Sequence, residues 1–149
     1  MRFRRRVQVV LQLVLAVTVV GAQCYAVGPT PDLPDPGNTR MTRDQQRQLG
    51  LQAAAEVYKQ MPVLPDSSPE TQYIKALGKR LVDVIPAAHS WPFEFHVIAQ
   101  KEINAFALPG GPMFVNIGTI TAAKDEAELA GVMSHEMAHV YMQHSAKQQ

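Results

Sequence analysis

His135-Glu136-Met137-Ala138-His139 contains the residues best suited to chemistry in this chain. Positions four apart on an α-helix lie one above the other on the same face. Both imidazoles can therefore aim a nitrogen at one ion. Glu136 is turned from His135 by about 100°, which puts its carboxylate beside such an ion and within reach of a water. H-E-x-x-H is the pattern in which two histidines bind zinc and the glutamate serves as general base for peptide hydrolysis. In that chemistry the ion acidifies a water and polarises the scissile carbonyl, and the carboxylate takes the proton. Only three positions are specified, so context has to separate this reading from a bland one. In the bland reading the histidines are polar-face or satisfied core residues and Glu136 is a solvated helix carboxylate. A catalytic zinc also takes three protein ligands, and the pattern supplies two.

The surrounding residues favour a helix. Residues 125–143 contain no proline and one glycine, Gly131. Leu129, Val132, Met133, Met137, Val140 and Tyr141 recur at three- and four-residue intervals, as on a buried amphipathic helix. Asp125, Glu126 and Glu128 sit near its amino end, where acids complement the helix dipole. His144 comes five residues after His139, about 140° round the helix. It cannot share the metal face unless the helix breaks, and it is expected to pack or hydrogen-bond. The longer pattern, with glycine and then a third histidine, is not met, because those positions hold Met142 and Ser145. His89 lies far upstream, and His96 falls in a strand pattern as an ordinary sheet residue.

The elements that must carry this helix can be read from caps and periodicity. Thr42 with Gln45 three residues later forms a capping box for a helix reaching about Gln60, with Gly50 a weak point in its middle. Ser68-Pro69 reads as an N-cap and first helical residue. A second helix would follow with Tyr73, Ile74, Leu77, Leu81, Val84 and Ile85 on one face, ended by Pro86. Phe93, Phe95 and Val97 alternate with Glu94, His96 and Ile98 as a strand. Lys101-Glu102 turns the chain, 103–108 reads as a short strand, and Pro109-Gly110-Gly111-Pro112 is a strong turn. A third strand is expected over 113–117, then a short helix from Thr119 or Thr121 leading into the motif helix. The order helix, helix, strands, motif helix is an α+β pattern.

Arg2, Arg4, Arg5 and Arg6 precede an apolar run over 7–22, as in an export signal, with Val20-Gly21-Ala22 as a cleavage site. The run is short of the roughly 20 residues that span a bilayer. A retained anchor or a lipid anchor on Cys24 is the alternative, although Gln23 stands where a small residue would precede a lipidated cysteine. Cys24 is the only cysteine, so no internal disulfide forms. Residues 28–38 carry four prolines and two glycines and read as a linker, placed at 23–40. Without the four signal arginines, ten basic residues face thirteen acidic ones, about −3. No basic stripe or aromatic platform for nucleic acid is present. Cleavage after Ala22 would leave 127 of the 149 residues, enough for a modest single core.

The run F-E-F-H-V-I-A-Q-K-E-I-N-A-F-A-L-P-G-G-P-M-F-V-N-I-G-T-I, followed by D-E-A-E-L-A-G-V-M-S-H-E-M-A-H-V-Y-M-Q-H-S, strongly resembles metallopeptidase family 48. Those are glutamate-type zincins that include the prenyl-protein CAAX endopeptidase and soluble bacterial periplasmic enzymes. The likeness is to the periplasmic branch, over about residues 40–149. It implies a zincin-like fold, one Zn2+ per chain, His135 and His139 as ligands and Glu136 as the catalytic glutamate. It implies that Asn104, Ala105, Phe106 and Ala107 form an edge strand along the cleft, to which a peptide could add by backbone pairing. For Phe106 plain core packing is an equal reading, and Asn104 could instead cap a turn. The third ligand in the family is a glutamate on a later helix, and no glutamate follows Glu136 here. Residues 41–149 are therefore expected to be the amino-terminal part of a catalytic domain. The resemblance implies an exported zinc endopeptidase of the bacterial periplasm, acting on misfolded envelope or outer-membrane proteins, with possible membrane association through its amino terminus. A catalytically incomplete fragment with a binding or chaperone-like role is the competing expectation.

Overall fold

The computed structural model describes residues 32–148. The basic and apolar start at 1–22, Cys24 and the first part of the 23–40 arm lie outside them. The described part of the arm, 32–40, contains no helix or strand. Helix α1 spans Arg43–Gln60 and α2 spans Pro69–Asp83. A single 3-10 turn, Ala87–His89, leads into strand β1, Glu94–Ile98. Strands β2, Ala105–Ala107, and β3, Pro112–Asn116, are followed by helices α3, Ile117–Ala122, α4, Glu126–Tyr141, and α5, His144–Lys147. This is the α+β arrangement expected from the sequence.

Both amino-terminal caps form as read. The Thr42 side chain accepts from the Gln45 amide and the Gln45 side chain accepts from the Thr42 amide, at 3.2 and 2.8 Å. Ser68 caps α2 by accepting from the Thr71 amide at 3.2 Å. These bonds satisfy amides that the first helical turn leaves without partners. Asp125 does the same for α4, accepting from the Glu128 amide at 2.8 Å.

The sheet order is β1-β3-β2, with β1 parallel and β2 antiparallel to β3. The central strand is buried throughout, as its unbroken apolar run requires when both faces are covered. On one face, Phe95, Val97, Met113 and Val115 pack with Ile74 and Leu77 of α2 and with Leu129, Met133 and Met137 of α4. On the other face, Ile98 and Phe114 pack with Ala54 of α1, joined by Val57, Val63, Phe106 and Leu108. The outer edge of β1 is occupied by the 62–64 segment, through a bridge between Val63 and Ile98. The outer edge of β2 has no strand partner among the described residues.

Four expectations need correction. Tyr73 and Val84 are exposed, Val84 by 75%. The buried stripe of α2 is Thr71, Ile74, Leu77 and Gly78, and the helix ends at Asp83. Strand β2 covers three residues rather than six, and Ile103 is 73% exposed. The third strand begins and ends one residue earlier than read. Helix α3 then starts at Ile117, ahead of either threonine, and is separated from α4 by the Asp125 cap.

The β2–β3 connection is a type II turn. Pro109 takes the second position, Gly110 the third with φ 81°, and the Gly111 amide donates to the Leu108 carbonyl at 3.2 Å. Helix α1 rests directly on this turn at Gly50. A Cβ at position 50 would lie 1.8 Å from the Pro109 carbonyl oxygen. The weak point in the helix pattern is thus a contact site where only glycine fits. Gly50→Ala should cost about 1–3 kcal/mol through overpacking, although alanine favours a helix by about 1 kcal/mol. The urea midpoint would fall, and a midpoint unchanged or raised would mean the turn yields freely.

His96 lies between α1 and the sheet, its side chain 12% exposed and its Nδ1 2.9 Å from the Tyr58 hydroxyl. Burial holds its pKa below the ordinary 6.5 and Lys75 adds to this, while Glu94 and Asp66 oppose it. As pH falls through 6.5 the unfolded chain takes up a proton that the folded chain resists. Stability is therefore lost on the acid side of that value and unaffected above it. His96→Asn keeps an acceptor for Tyr58 and removes the titration. Its melting temperature should fall less than that of the parent between about pH 7 and pH 5. Equal slopes would exclude His96 as a source of acid sensitivity.

Candidate metal centre

Helix α4 separates two jobs by rotation. Leu129, Met133, Met137 and Val140 are buried, and replacing a buried methionine such as Met133 by alanine costs about 2–5 kcal/mol. His135 is two residues, about 200°, from both Met133 and Met137. It is exposed, and Glu136 is half-buried beside it. The core seam therefore sets the helix rotation, and that rotation turns the motif histidines outward.

His135 Nε2 and His139 Nε2 are 3.1 Å apart, their rings edge to face at 88°. Two nitrogens bound at about 2.05 Å to one tetrahedral zinc would be separated by about 3.3 Å. A ligand atom from each of His135, Glu136 and His139 lies within 4.8 Å of the others. The imidazole pair thus fits an ion of zinc's size and preference. The carboxylate is close enough either to coordinate or to act on a water beside it.

Strand β2 packs against α4. Ala105 and Ala107 face the α4 side of the sheet, and their small side chains allow close approach. Phe106 points to the opposite face and stacks on Phe114, with ring centroids 5.3 Å apart. A crevice lined by Ala107, Leu108 and Pro109 together with His139, Val140 and Gln143 puts the end of β2 beside the second histidine.

The backbone pairing assigns the free edge. The Asn116 amide donates to the Asn104 carbonyl at 3.0 Å and the Leu108 amide to the Pro112 carbonyl at 2.7 Å. In an antiparallel ladder such pairs recur every second residue. Asn104, Phe106 and Leu108 therefore turn their backbone groups toward β3, and Ala105 and Ala107 turn theirs to the open edge. Asn104 is also clamped from behind. Its amide donates to Thr119 Oγ1 at 2.8 Å, and that hydroxyl donates to the Asn104 carbonyl at 2.7 Å. Thr119 is 5% exposed. Its role was hidden in the sequence, where it is one polar residue in an apolar run, and only its burial gives it away.

The motif helix ends at Tyr141, and Gln143 adopts a left-handed conformation, φ 56° and ψ 36°. The chain re-enters a short helix at His144, whose Nδ1 comes within 2.6 Å of His139 Nδ1. The break is what lets His144 return to His139, and the expected hydrogen-bonding role is the one observed. His89 is placed apart, 3.4 Å from the Tyr141 hydroxyl.

The sequence matches the model of peptidase family M48 over residues 68–149. Among curated relatives, it is 32% identical over 149 residues to the beta-barrel assembly-enhancing protease of Escherichia coli K12, covering 97% of this chain and 30% of that protein. It is 36% identical over 117 residues to a putative beta-barrel assembly-enhancing protease of Vibrio cholerae, covering 78% and 24%. It is 34% identical over 116 residues to the mitochondrial metalloendopeptidase OMA1 of Schizosaccharomyces pombe, covering 74% and 34%. The chain thus spans about a third or less of the length of these relatives. The matched region contains the paired histidines, the adjoining glutamate and α2 through α5, and on this basis the chain belongs to peptidase family M48.

Proposed function

We propose that His135, Glu136 and His139 form the metal-binding and proton-transferring part of a zinc endopeptidase site. The observation that carries this is the 3.1 Å separation of two imidazole nitrogens with a carboxylate beside them. When bound, the ion supplies Lewis acidity toward the peptide carbonyl and toward water. His135 and His139 hold it through Nε2. Glu136 accepts a proton from the attacking water at its carboxylate and passes it to the leaving amine nitrogen. A third protein ligand, in the family a glutamate, is not among residues 137–149. A role in binding alone is the second reading.

The substrate would be an extended peptide lying along β2. The outward amides and carbonyls of Ala105 and Ala107 can pair with it as an added strand. Phe106 serves this by anchoring the strand to the core rather than by touching the peptide, and Asn104 by its clamp to Thr119. Residues 41–149 would be the amino-terminal part of the catalytic domain, preceded by a 23–40 linker and an export signal at 1–22. Among the described residues no helix is long and apolar enough to cross a membrane. The bacterial relatives are named for enhancing beta-barrel assembly; taken with the export signal, this supports a reading in which the enzyme works in the periplasm on envelope proteins, in quality control.

Purified protein should contain about one zinc by mass spectrometry, as a single such site requires. His135→Ala and His139→Ala should lose it, and Glu136→Gln should keep it. Chelator-sensitive cleavage of unfolded casein should fall about 10²–10⁴-fold in Glu136→Gln. Zinc retained in both histidine variants would sink the metal assignment. Zinc bound without any cleavage by the parent would support the binding-only role.

Thr119→Val should leave the Asn104 amide unpaired, at a cost of about 1–3 kcal/mol. Faster amide hydrogen exchange across 104–107 should accompany a higher KM for an extended peptide. If exchange accelerates and KM does not change, the peptide does not use this strand.

A further inference from the structure

His144 lies within hydrogen-bond distance of the proposed metal ligand His139, and the contact has a defined chemical consequence. In a neutral imidazole one nitrogen donates and the other accepts. If His139 gives its Nε2 lone pair to an ion, its proton must sit on Nδ1. That nitrogen faces His144 Nδ1 at 2.6 Å. Only one of the two Nδ1 atoms can carry the proton in this contact. His139 is then the donor, and His144 must accept with its own proton on Nε2. The rings meet at 63° with centroids 4.9 Å apart, which holds the His139 ring against rotation about its long axis.

The fold goes to some length to place this acceptor. On an unbroken helix His144 would point about 140° away from His139. The left-handed Gln143 brings it back, a conformation that costs a non-glycine residue about 1–3 kcal/mol. Gln143 is held there by Gln46, 2% exposed, whose amide nitrogen donates to Gln143 Oε1 at 2.7 Å and to the Met41 carbonyl at 3.2 Å. The Gln143 carbonyl in turn accepts from the Ala146 and Lys147 amides at 3.1 Å each. A residue from α1, 97 positions away, thus secures the break that positions His144.

We propose that His144 is a positioning residue for the metal ligand His139. It fixes the Nδ1-protonated tautomer and the ring orientation that point Nε2 at the ion, without itself binding the ion. This rests on the reading of His135 and His139 as metal ligands. Partners of this kind contribute about 10–100-fold in metal affinity.

The test is zinc affinity of the full chain, by competition with a chromophoric chelator, in His144→Leu, His144→Asn and His139→Ala. Asparagine can place its Oδ1 near the position of His144 Nδ1 and accept the same hydrogen bond. Leucine should weaken zinc binding about 10–100-fold, while asparagine should restore most of the affinity. Nitrogen-15 spectra of the zinc-loaded parent should show His139 protonated at Nδ1 and His144 at Nε2. Melting of the metal-free leucine variant should match that of the parent. Unchanged affinity in the leucine variant would overturn the proposal. So would equal losses in leucine and asparagine variants, or a loss matched by metal-free instability, since these assign His144 to packing. If His139→Ala also leaves affinity intact, the metal reading itself fails and this inference goes with it.

Discussion

The seam between α4 and the sheet is the constraint on which the rest depends. Leu129, Met133 and Met137 bury against Phe95, Val97, Met113 and Val115. Close-packed interiors do not tolerate rotation of such a helix, because each methyl or methylene already has its place. Once the seam is fixed, the 3.6-residue period fixes the direction of His135 and His139 as well. The side of α4 from which both imidazoles project is inherited from the buried apolar residues of the same helix. That also explains why alanines stand at 105 and 107, where a larger side chain would push the helix, and with it both histidines, off the edge strand.

The same seam joins the two halves of the proposed chemistry. A peptide paired with Ala105 and Ala107 would run along the strand that touches α4. The scissile bond and the histidines would then be located by one packing contact. The clamp from Thr119 to Asn104 and the Phe106–Phe114 stack hold that strand from behind and beneath. Neither consumes the backbone groups on the open edge. The three-residue length of β2 is consistent with this division, because a short edge strand limits unwanted pairing with other chains.

Much of this was legible from local signals. Capping boxes announce themselves within four residues, and Thr42 and Ser68 cap where the pattern places them. The motif helix shows its core face through apolar spacing and its metal face through H-E-x-x-H. What was not legible depends on contacts distant in sequence. Gly50 lowers helix propensity when read locally, yet it is where α1 meets the Pro109 carbonyl. The 103–108 run looks like six residues of strand, but the strand proper covers only Ala105–Ala107, and Ile103 finds no core to enter. Tyr73 and Val84 share the apolar spacing of α2, but Thr71 and Gly78 take the buried places instead, Gly78 against Phe95 of the sheet. A small residue can sit under a neighbouring element where a tyrosine cannot, and no local pattern reports that.

His144 marks the boundary between these two kinds of information most sharply. Helix geometry correctly denies it a place on the metal face of an unbroken α4. A break was the one escape, and nothing in Met142-Gln143 signals one, since glutamine is not a usual residue for a left-handed turn. The signal lies in Gln46, a buried polar side chain on α1 that has to find a partner. It finds Gln143, and a satisfied buried amide offsets the backbone strain there. Strain of this size persists only where the surroundings over-determine it. Here they do so from both sides, through Gln46 in front and the two α5 amides behind. The product of that strain is an acceptor for the far side of His139, so a polar core residue in the first helix shapes the environment of a histidine in the last long one.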